Sequence, residues 1–313
     1  MGRGERGGLS DAEWERLRPF LPVSNGRGGR WRDHRQVIDG ILHRVRTGVH
    51  WRDLPERFGP WKMVYERHRL WSADGTWERL LQQLQAAADA AGEIDWDVSV
   101  DSTIVRAHQH AAGARTELPP ALTAQKGDEA LEHQDETPWQ SLVDRLVEVV
   151  LEEGLGRSRG GFTTKIHLSA DGRCRPLSLI VTPGQRADCT QFAPVLEKIR
   201  VPRPGSGRPR KKPDSVAADK AYSNGPCREY LRRRGIRHTI PEKADSRSAR
   251  LRKGSRGGRP PGFDEERYKK RNTVERAVNR LKNFRAVATR YDKRGYVFLG
   301  TVSAAAVIVW LRS

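Results

Sequence analysis

At 313 residues the chain is long enough for one large domain or two moderate ones with a properly buried core. Lysine and arginine outnumber aspartate and glutamate 58 to 39, a net charge of +19, which favours a polyanionic partner, most simply nucleic acid. No apolar run approaches the roughly 20 residues that span a bilayer, no basic amphipathic helix or lipidation motif stands out, and the N-terminal MGRGERGG lacks the apolar centre of a signal peptide. Cytoplasmic residence is therefore expected, and Cys174, Cys189 and Cys227, scattered and without CxxC spacing, read as plain reduced thiols.

Residues 1–8 are rich in Gly and Arg and read as disordered. Order is expected from Ser10, where Ser10-x-x-Glu13 makes a capping box and Leu9 and Trp14 are placed for a hydrophobic staple. A basic Gly-rich connector covers residues 25–32. Asp33 with Gln36 then opens a helix in which Val37, Ile38, Ile41, Leu42 and Val45 repeat at helical spacing until Gly48. A short element at residues 54–58, a Gly59-Pro60 turn and a helix over 61–71 follow closely enough for a helix-turn-helix. Trp61, Val64, Tyr65 and His68 are expected to face inward while Lys62, Arg67 and Arg69 project toward a DNA groove; the alternative is that the aromatics are core and the cations merely solvated. A further helix is predicted from Asp74 or Thr76 to Ala91, ended by Gly92.

Residues 94–101 alternate apolar and polar as a half-buried strand does, with Asp101 expected at its end. His108 and His110 are two apart without matching Cys or His elsewhere, a spacing that suits phosphate contact or solvation better than zinc. The interval 111–156 is different in character: from Asp128 to Glu153 there are nine acidic residues and one Arg, and Trp139, Leu142, Val143, Leu146, Val147 and Val150 trace an amphipathic helix. A hairpin comes next, with strands at 162–168 and 174–181 and a turn at Asp171-Gly172. A helix over 188–199, a basic Pro/Gly loop over 201–213, a buried strand ending in Asp219, a helix over 226–234, a strand over 236–240 and a basic loop over 242–261 complete the middle of the chain. An apolar helix at 296–311 is expected to close the core.

Between the basic loop and that last helix lies the most heavily loaded stretch. Asp264 is placed as an N-cap, Glu265 and Glu266 suit the positive end of the helix dipole, and no Pro or Gly follows until Gly295, so a single helix is expected. Val274, Ala277, Val278, Leu281 and Phe284 form an apolar stripe, with Tyr268, Arg271, Glu275 and Lys282 within an arc of roughly 60° beside it. One carboxylate flanked by two cations and a phenol suits a metal ligand next to a phosphate backbone. Two plainer readings are open: Asn272-x-x-Glu275 as a capping box that starts a shorter helix, and Arg271/Glu275 as an ordinary i,i+4 pair.

Tyr268-x2-Arg271-x3-Glu275-x6-Lys282 resembles, without a gap, the Y-R-E-K signature of DDE transposases of the IS-four/IS-five superfamily of bacterial insertion sequences. WRDLPERFGPW and VYERHRLWSADGTW resemble the end-binding region of the IS-five group, DSTIVRAHQHAAGAR its first catalytic block, and GRSRGG with the strands after it a further block; Lys220-Ala221-Tyr222 follows Asp219 as in that group. The resemblance covers about residues 9–110 and 156–311. It implies an all-α helix-turn-helix domain at 9–92, followed at 93–313 by an α/β catalytic domain with a ribonuclease-H-like mixed sheet flanked by helices and an insertion at 111–156. It implies a transposase that binds terminal inverted repeats and cleaves and joins DNA strands. Asp101, Asp219 and Glu275 would be catalytic ligands of two Mg²⁺ or Mn²⁺ ions, with Tyr268, Arg271, Lys282, Lys62, Arg67 and Arg69 on DNA. The implied partners are double-stranded DNA, both transposon ends and target, and at least one further copy of the chain; no membrane is implied, and the location would be the nucleoid. A DNA-binding regulator with an inactive catalytic domain, or a metal-dependent nuclease that does not join strands, is the alternative.

Overall fold

The computed structural model describes residues 8–23, 33–113, 153–203, 205 and 207–313. Residues 1–7, the connector at 25–32 and nearly all of the 111–156 interval, with its acidic stretch and Trp139 pattern, lie outside the described residues.

The chain begins with four helices whose ends the sequence encodes. In α1 (Asp11–Leu17) Ser10 Oγ accepts the Glu13 N–H at 3.2 Å and the Glu13 carboxylate accepts the Ser10 N–H at 2.8 Å, the reciprocal capping box. In α2 (His34–Thr47) Asp33 caps the Arg35 N–H, and Gly48 closes the last turn at φ 71°, where a side chain would be strained. The short element expected at 54–58 is a pair of 3-10 turns, Trp51–Asp53 and Glu56–Phe58. They lead into α3 (Trp61–Ala73) and α4 (Thr76–Ala90).

The described residues form a mixed seven-stranded sheet. Its centre is β1 (Asp97–Ala107), followed by the one-turn helix α5 (Gln109–Ala112). Strands β2 (Gly156–Ser158), β3 (Gly161–Ala170) and β4 (Pro176–Pro183) are antiparallel, with β3 pairing β1 from Ser99↔Ala170 to Arg106↔Thr163. A 3-10 turn (Asp188–Gln191) and α6 (Phe192–Glu197) lead to β5 (Ser215–Ala218), then α7 (Gly225–Arg233) leads to β6 (Arg237–Thr239), both strands parallel to β1. The helix expected over 188–199 starts four residues late because Pro194 is tolerated only in a helix's first turn. Asp101 lies inside β1 and not at its end, since β3 continues to pair well past it.

Residues 242–261 hold a helix, α8 (Ala244–Arg252), in place of the expected loop; none of its residues is buried, so it has no apolar period to read. The single helix expected from Asp264 is two, α9 (Glu265–Lys269) and α10 (Asn272–Lys282). Between them the backbone stays helical but tightens: the Arg271, Thr273 and Val274 N–H groups bond three residues back, to Tyr268, Lys270 and Arg271. The extra twist rotates Tyr268 relative to Glu275. No Asn272 capping box forms. The stripe itself is as expected, with Val274, Ala277 and Leu281 buried.

After α11 (Arg285–Ala288), β7 (Thr289–Arg290) pairs with the far end of β1, and α12 (Gly295–Leu311) runs through the middle of the molecule. It is apolar on all sides and buried on nearly all, packing against α2, α3, α4 and β4. At Gly300 a Cβ would collide with Ser72 Oγ of α3, so only glycine lets the two helices approach so closely. The buried surfaces of the N-terminal helices and of the sheet thus form one continuous core.

A buried ionic network locks that junction. Arg44 of α2 and Asp292 pair at 2.8 Å with both side chains 3% exposed, and Thr301 of α12 donates to Asp292 at 2.9 Å. His68 of α3 meets Thr301 at 3.1 Å and accepts the Trp77 N–H at 3.1 Å; burial holds its pKa down at about 4, so it is neutral. Removing one partner leaves the other buried and unpaired. Asp292→Ala should therefore cost roughly 3–5 kcal/mol in urea unfolding, while the double change Arg44→Met with Asp292→Leu should recover most of it.

Candidate active site

The last parallel pair between β1 and β5 is Val100↔Ala218, so the next residue on each strand, Asp101 and Asp219, emerges side by side at a spacing of about 4.8 Å. Beyond that pair the strands part company. Asp219 turns into a 3-10 turn (Lys220–Tyr222), where its carboxylate accepts the Ala221 N–H, while Asp101 stays in β1 and accepts the Ser102 N–H at 2.8 Å.

Helix α10 supplies the third carboxylate. Thr273 donates to Ser99 Oγ at 3.2 Å and Lys282 Nζ to the Ile104 carbonyl at 3.2 Å, so the helix runs along β1 in the same direction as the strand. Glu275, about 3 Å along the helix from Thr273, comes level with Asp101, which shares the sheet face of Ser99. The electrostatics agree. The Asp101 carboxyl is pushed up to about 6, first by burial and then by the charges of Asp219 and Glu275, against the pull of the Ser102 N–H and Arg271. Arg271 pairs with Glu275 at 2.7 Å and lies over the Tyr268 ring at 5.4 Å. The ordinary i,i+4 pair is thus present, with Glu275 45% exposed. Among the described residues no three His, Cys, Asp or Glu side chains stand close enough together to hold a metal ion, so the three acids are electrostatic neighbours and not a closed ligand set.

On the opposite face of β1 lies a network that motif reading missed. Ser102 Oγ donates to Asp188 at 2.7 Å, and Asp188 pairs with Lys165 of β3 at 2.9 Å; the Lys165 side chain is 10% exposed and donates to the Arg186 carbonyl as well. Although burial opposes its charge, the Lys165 and Ser102 hydrogen bonds hold the Asp188 carboxyl below its usual range. Tyr222 is buried next to this network, and burial followed by the charges of Asp101 and Asp188 pushes its phenol up. The available signal was register: Ser102 faces His167 and Ile104 faces Lys165 once β1 and β3 are aligned as an antiparallel pair.

The expected DNA contacts divide. Lys62 and Arg69 are exposed on α3. Arg67 does not project: it bonds His34 Nδ1 at 3.2 Å and lies over the Trp71 ring at 5.5 Å, because the aromatic cluster of α3 offers its aliphatic stem a better surface than water. Lys282 and Arg271 are engaged within the site, and Tyr268 packs against Phe263 with ring centroids 5.2 Å apart. His108 caps α5 and packs on Tyr291 and His110 at 4.9 and 4.6 Å. His110 and Tyr291 border a cavity of about 860 Å³ shared with Trp51, Trp61 and Arg294, and none of the three carboxylates lines it.

The model for a "Transposase DDE domain" matches residues 94–310, the whole of the sheet and its carboxylates. The chain belongs to the DDE transposase family. A second model, described as "Putative transposase of IS4/5 family", matches residues 9–81, the helical region. The chain is 29% identical over 150 residues to a "Putative transposase for insertion sequence element IS6501" of Brucella ovis, covering 48% of this chain and 99% of that one. It is 32% identical over 138 residues to a "Putative transposase for insertion sequence element IS402" of Burkholderia cepacia (44% and 57%), and 44% identical over 109 residues to "Uncharacterized protein y4sN" of Sinorhizobium fredii (34% and 83%). No solved structure matches the chain. No helix among the described residues is long and apolar enough to cross a membrane.

For a DDE transposase, the raised Asp101 carboxyl carries a stability consequence. The folded group binds its proton more tightly than the unfolded one, whose pKa is 3.8, so ionising it opposes folding above about pH 6 and not below pH 4. Asp101→Asn should stabilise the metal-free protein by about 2–3 kcal/mol at pH 7.5, raising Tm by several degrees, with little change at pH 4. Thermal melts in EDTA at the two pH values check this.

Proposed function

We propose that the chain is a transposase of the IS-five type that binds the terminal inverted repeats of its element and carries out metal-dependent strand cleavage and transfer at Asp101, Asp219 and Glu275. The observation that carries this reading is the emergence of Asp101 and Asp219 side by side where β5 ends, with Glu275 delivered beside them by α10. The antiparallel order β4-β3-β1 joined to the parallel strands β5 and β6 supports a ribonuclease-H-like sheet. For DNA ends, the 3-10 turn Glu56–Phe58, the Gly59-Pro60 turn and α3 stand in the place of the expected helix-turn-helix, and the exposed face of α3 offers Lys62, Met63, Glu66, Arg69 and Leu70 to a groove.

The donor chemistry fits divalent metal. Three carboxylates with mutually unfavourable charge present only hard oxygens, which suit Mg²⁺ or Mn²⁺. Two such ions, when bound, align the attacking oxygen and neutralise the leaving one. Asp101 and Asp219 are fixed by their own backbone N–H bonds, whereas Glu275 is shared with Arg271 and must exchange that partner to serve as a ligand. Lys282 sits about 10 Å further along α10 from Glu275, placed for a phosphate along the strand from the scissile one. Two copies of the chain, one at each transposon end, are the minimum assembly this reading requires.

The two roles on α10 should fail differently. Glu275→Gln should abolish single-turnover cleavage at saturating DNA while leaving end binding intact, and EDTA should do the same to the unmodified chain, with Mn²⁺ restoring activity. Lys282→Ala should instead raise the DNA concentration required and flatten the salt dependence by about one unit. Cleavage measured across a DNA titration at two salt concentrations separates them. If Lys282→Ala lowers the saturated rate as severely as Glu275→Gln with unchanged affinity, Lys282 acts in the chemical step and this division of labour is wrong.

A further inference from the structure

The cations that motif reading assigned to DNA near the carboxylates, Arg271 and Lys282, are already engaged by Glu275 and by the Ile104 carbonyl. Unengaged cations lie one strand further along the sheet. Residues 242–259 carry seven Lys or Arg against two acids. Arg250 is taken by Glu242 at 2.9 Å, but Arg252, Lys253, Arg256 and Arg259 are exposed and make no ion pair with any described residue.

Their position follows from strand register. β5 and β6 are parallel with Ala217↔Thr239, so Asp219 and Pro241, each two residues further on, leave the sheet at the same edge. At about 4.8 Å per strand, the root of the basic segment is roughly 5 Å from Asp219 and 10 Å from Asp101. Arg228 fixes that root: it donates to the Ile240 carbonyl at 2.8 Å and to Ser223, just past the Asp219 turn, at 3.1 Å. The far end returns to the sheet through Arg267, paired with Asp97 at 3.2 Å. Between the two anchors α8 folds without burying a single residue, so packing against the body does not account for its side-chain pattern.

We infer that the segment from α8 to Arg259 is a second DNA-contact surface, one that grips the backbone of duplex DNA flanking the scissile phosphate, independently of sequence. The inference rests on the proposed cleavage site at the Asp219 edge of the sheet, because that is what makes the neighbouring duplex the flank. A row of exposed cations on a helix and the turn after it suits phosphates, to which it adds charge but no base reading. The end-reading helix α3 and this arm would then hold the two sides of the cut.

The test compares the full chain with the quadruple variant Arg252→Ala, Lys253→Ala, Arg256→Ala, Arg259→Ala on two duplexes: the element's terminal repeat alone, and the same repeat extended by flanking sequence. EDTA is present, so binding is read without cleavage. The unmodified chain should bind the extended duplex more tightly, with a steeper salt dependence; the variant should lose that gain and flatten the slope by about 0.9 for each phosphate contact removed, up to about 3.6 in all. A variant with Lys at the three Arg positions should retain the gain, which separates lost charge from disturbed folding. An unchanged gain and slope in the quadruple variant overturns the inference. So does a change in oligomeric state without a change in flank binding, which would make the surface a protein contact. If the arm contacts the flank but the chain shows no metal-dependent cleavage, the arm stands as a duplex-binding surface and the catalytic reading is what falls.

Discussion

Everything at the site depends on β1 having two kinds of neighbour along one edge. β5 pairs with it only from Asp97 to Val100, and β7 takes up the same strand only at Arg106 and Ala107. Between them β1 keeps its antiparallel partner β3 but has no second parallel strand, and backbone groups left without a strand must find other partners. Lys282 supplies one, capping the Ile104 carbonyl, and the Asp101 side chain takes the Ser102 N–H. The opening left by the missing strand is bordered by Asp101 and Asp219, with Glu275 close enough for its charge to act on Asp101. A longer β5 would have carried Asp219 further along the sheet and closed it.

The second constraint is α12. Because this apolar helix is buried among α2, α3, α4 and β4, the helices that carry Lys62 and Arg69 and the sheet that carries the carboxylates share one core. The Arg44–Asp292 pair and the hydrogen bonds through Thr301, His68 and Trp77 cross the same boundary. Arg290, fully buried, ties β7 to the Gly154 carbonyl and Thr164 and so binds the sheet to the same junction. Such pairs contribute less net stability than their Coulomb energy suggests, but breaking them is costly, which fixes orientation. Displacing α3 relative to β1 would mean rupturing that network, so a rigid link between α3 and the strand that carries Asp101 is built into the packing.

Charge in this molecule is divided by use. A chain of net charge +19 spends several cations on its own acids: Lys165 on Asp188, Arg271 on Glu275 and Arg175 on Asp171. At Asp101 burial, with the charges of Asp219 and Glu275, outweighs the Ser102 N–H and the charge of Arg271 and pushes the carboxyl up to about 6. Cations that make no ion pair with a described residue include Lys62 and Arg69 on α3 and Arg252, Lys253, Arg256 and Arg259 at and beyond the end of α8, all exposed, where water screens them and where a polyanion would find them.

Much of this architecture is legible in the residues themselves because it is local. The Ser10 and Glu13 capping box, the Asp33 cap, the hairpin and the apolar run of α12 are decided by neighbours within a few positions, and the structure has them where short-range physics puts them. The spacing of Tyr268, Arg271, Glu275 and Lys282 alone leaves an ordinary i,i+4 pair open; it is the resemblance of that stretch, and of the blocks around Asp101 and Asp219, to a transposase signature that singles out the three carboxylates. Tertiary contacts decided the rest. The partner strand β3 carried β1 past Asp101; the tight turn at Lys270–Arg271 divided the loaded helix; the aromatic cluster drew Arg67 inward; and α8 formed without an apolar period to announce it. Asp188, Lys165 and Tyr222 could not be placed beside the site from spacing, since what joins them to Ser102 is cross-strand register and a crossover, and register is fixed by which face of each strand is buried, a property of the assembled sheet.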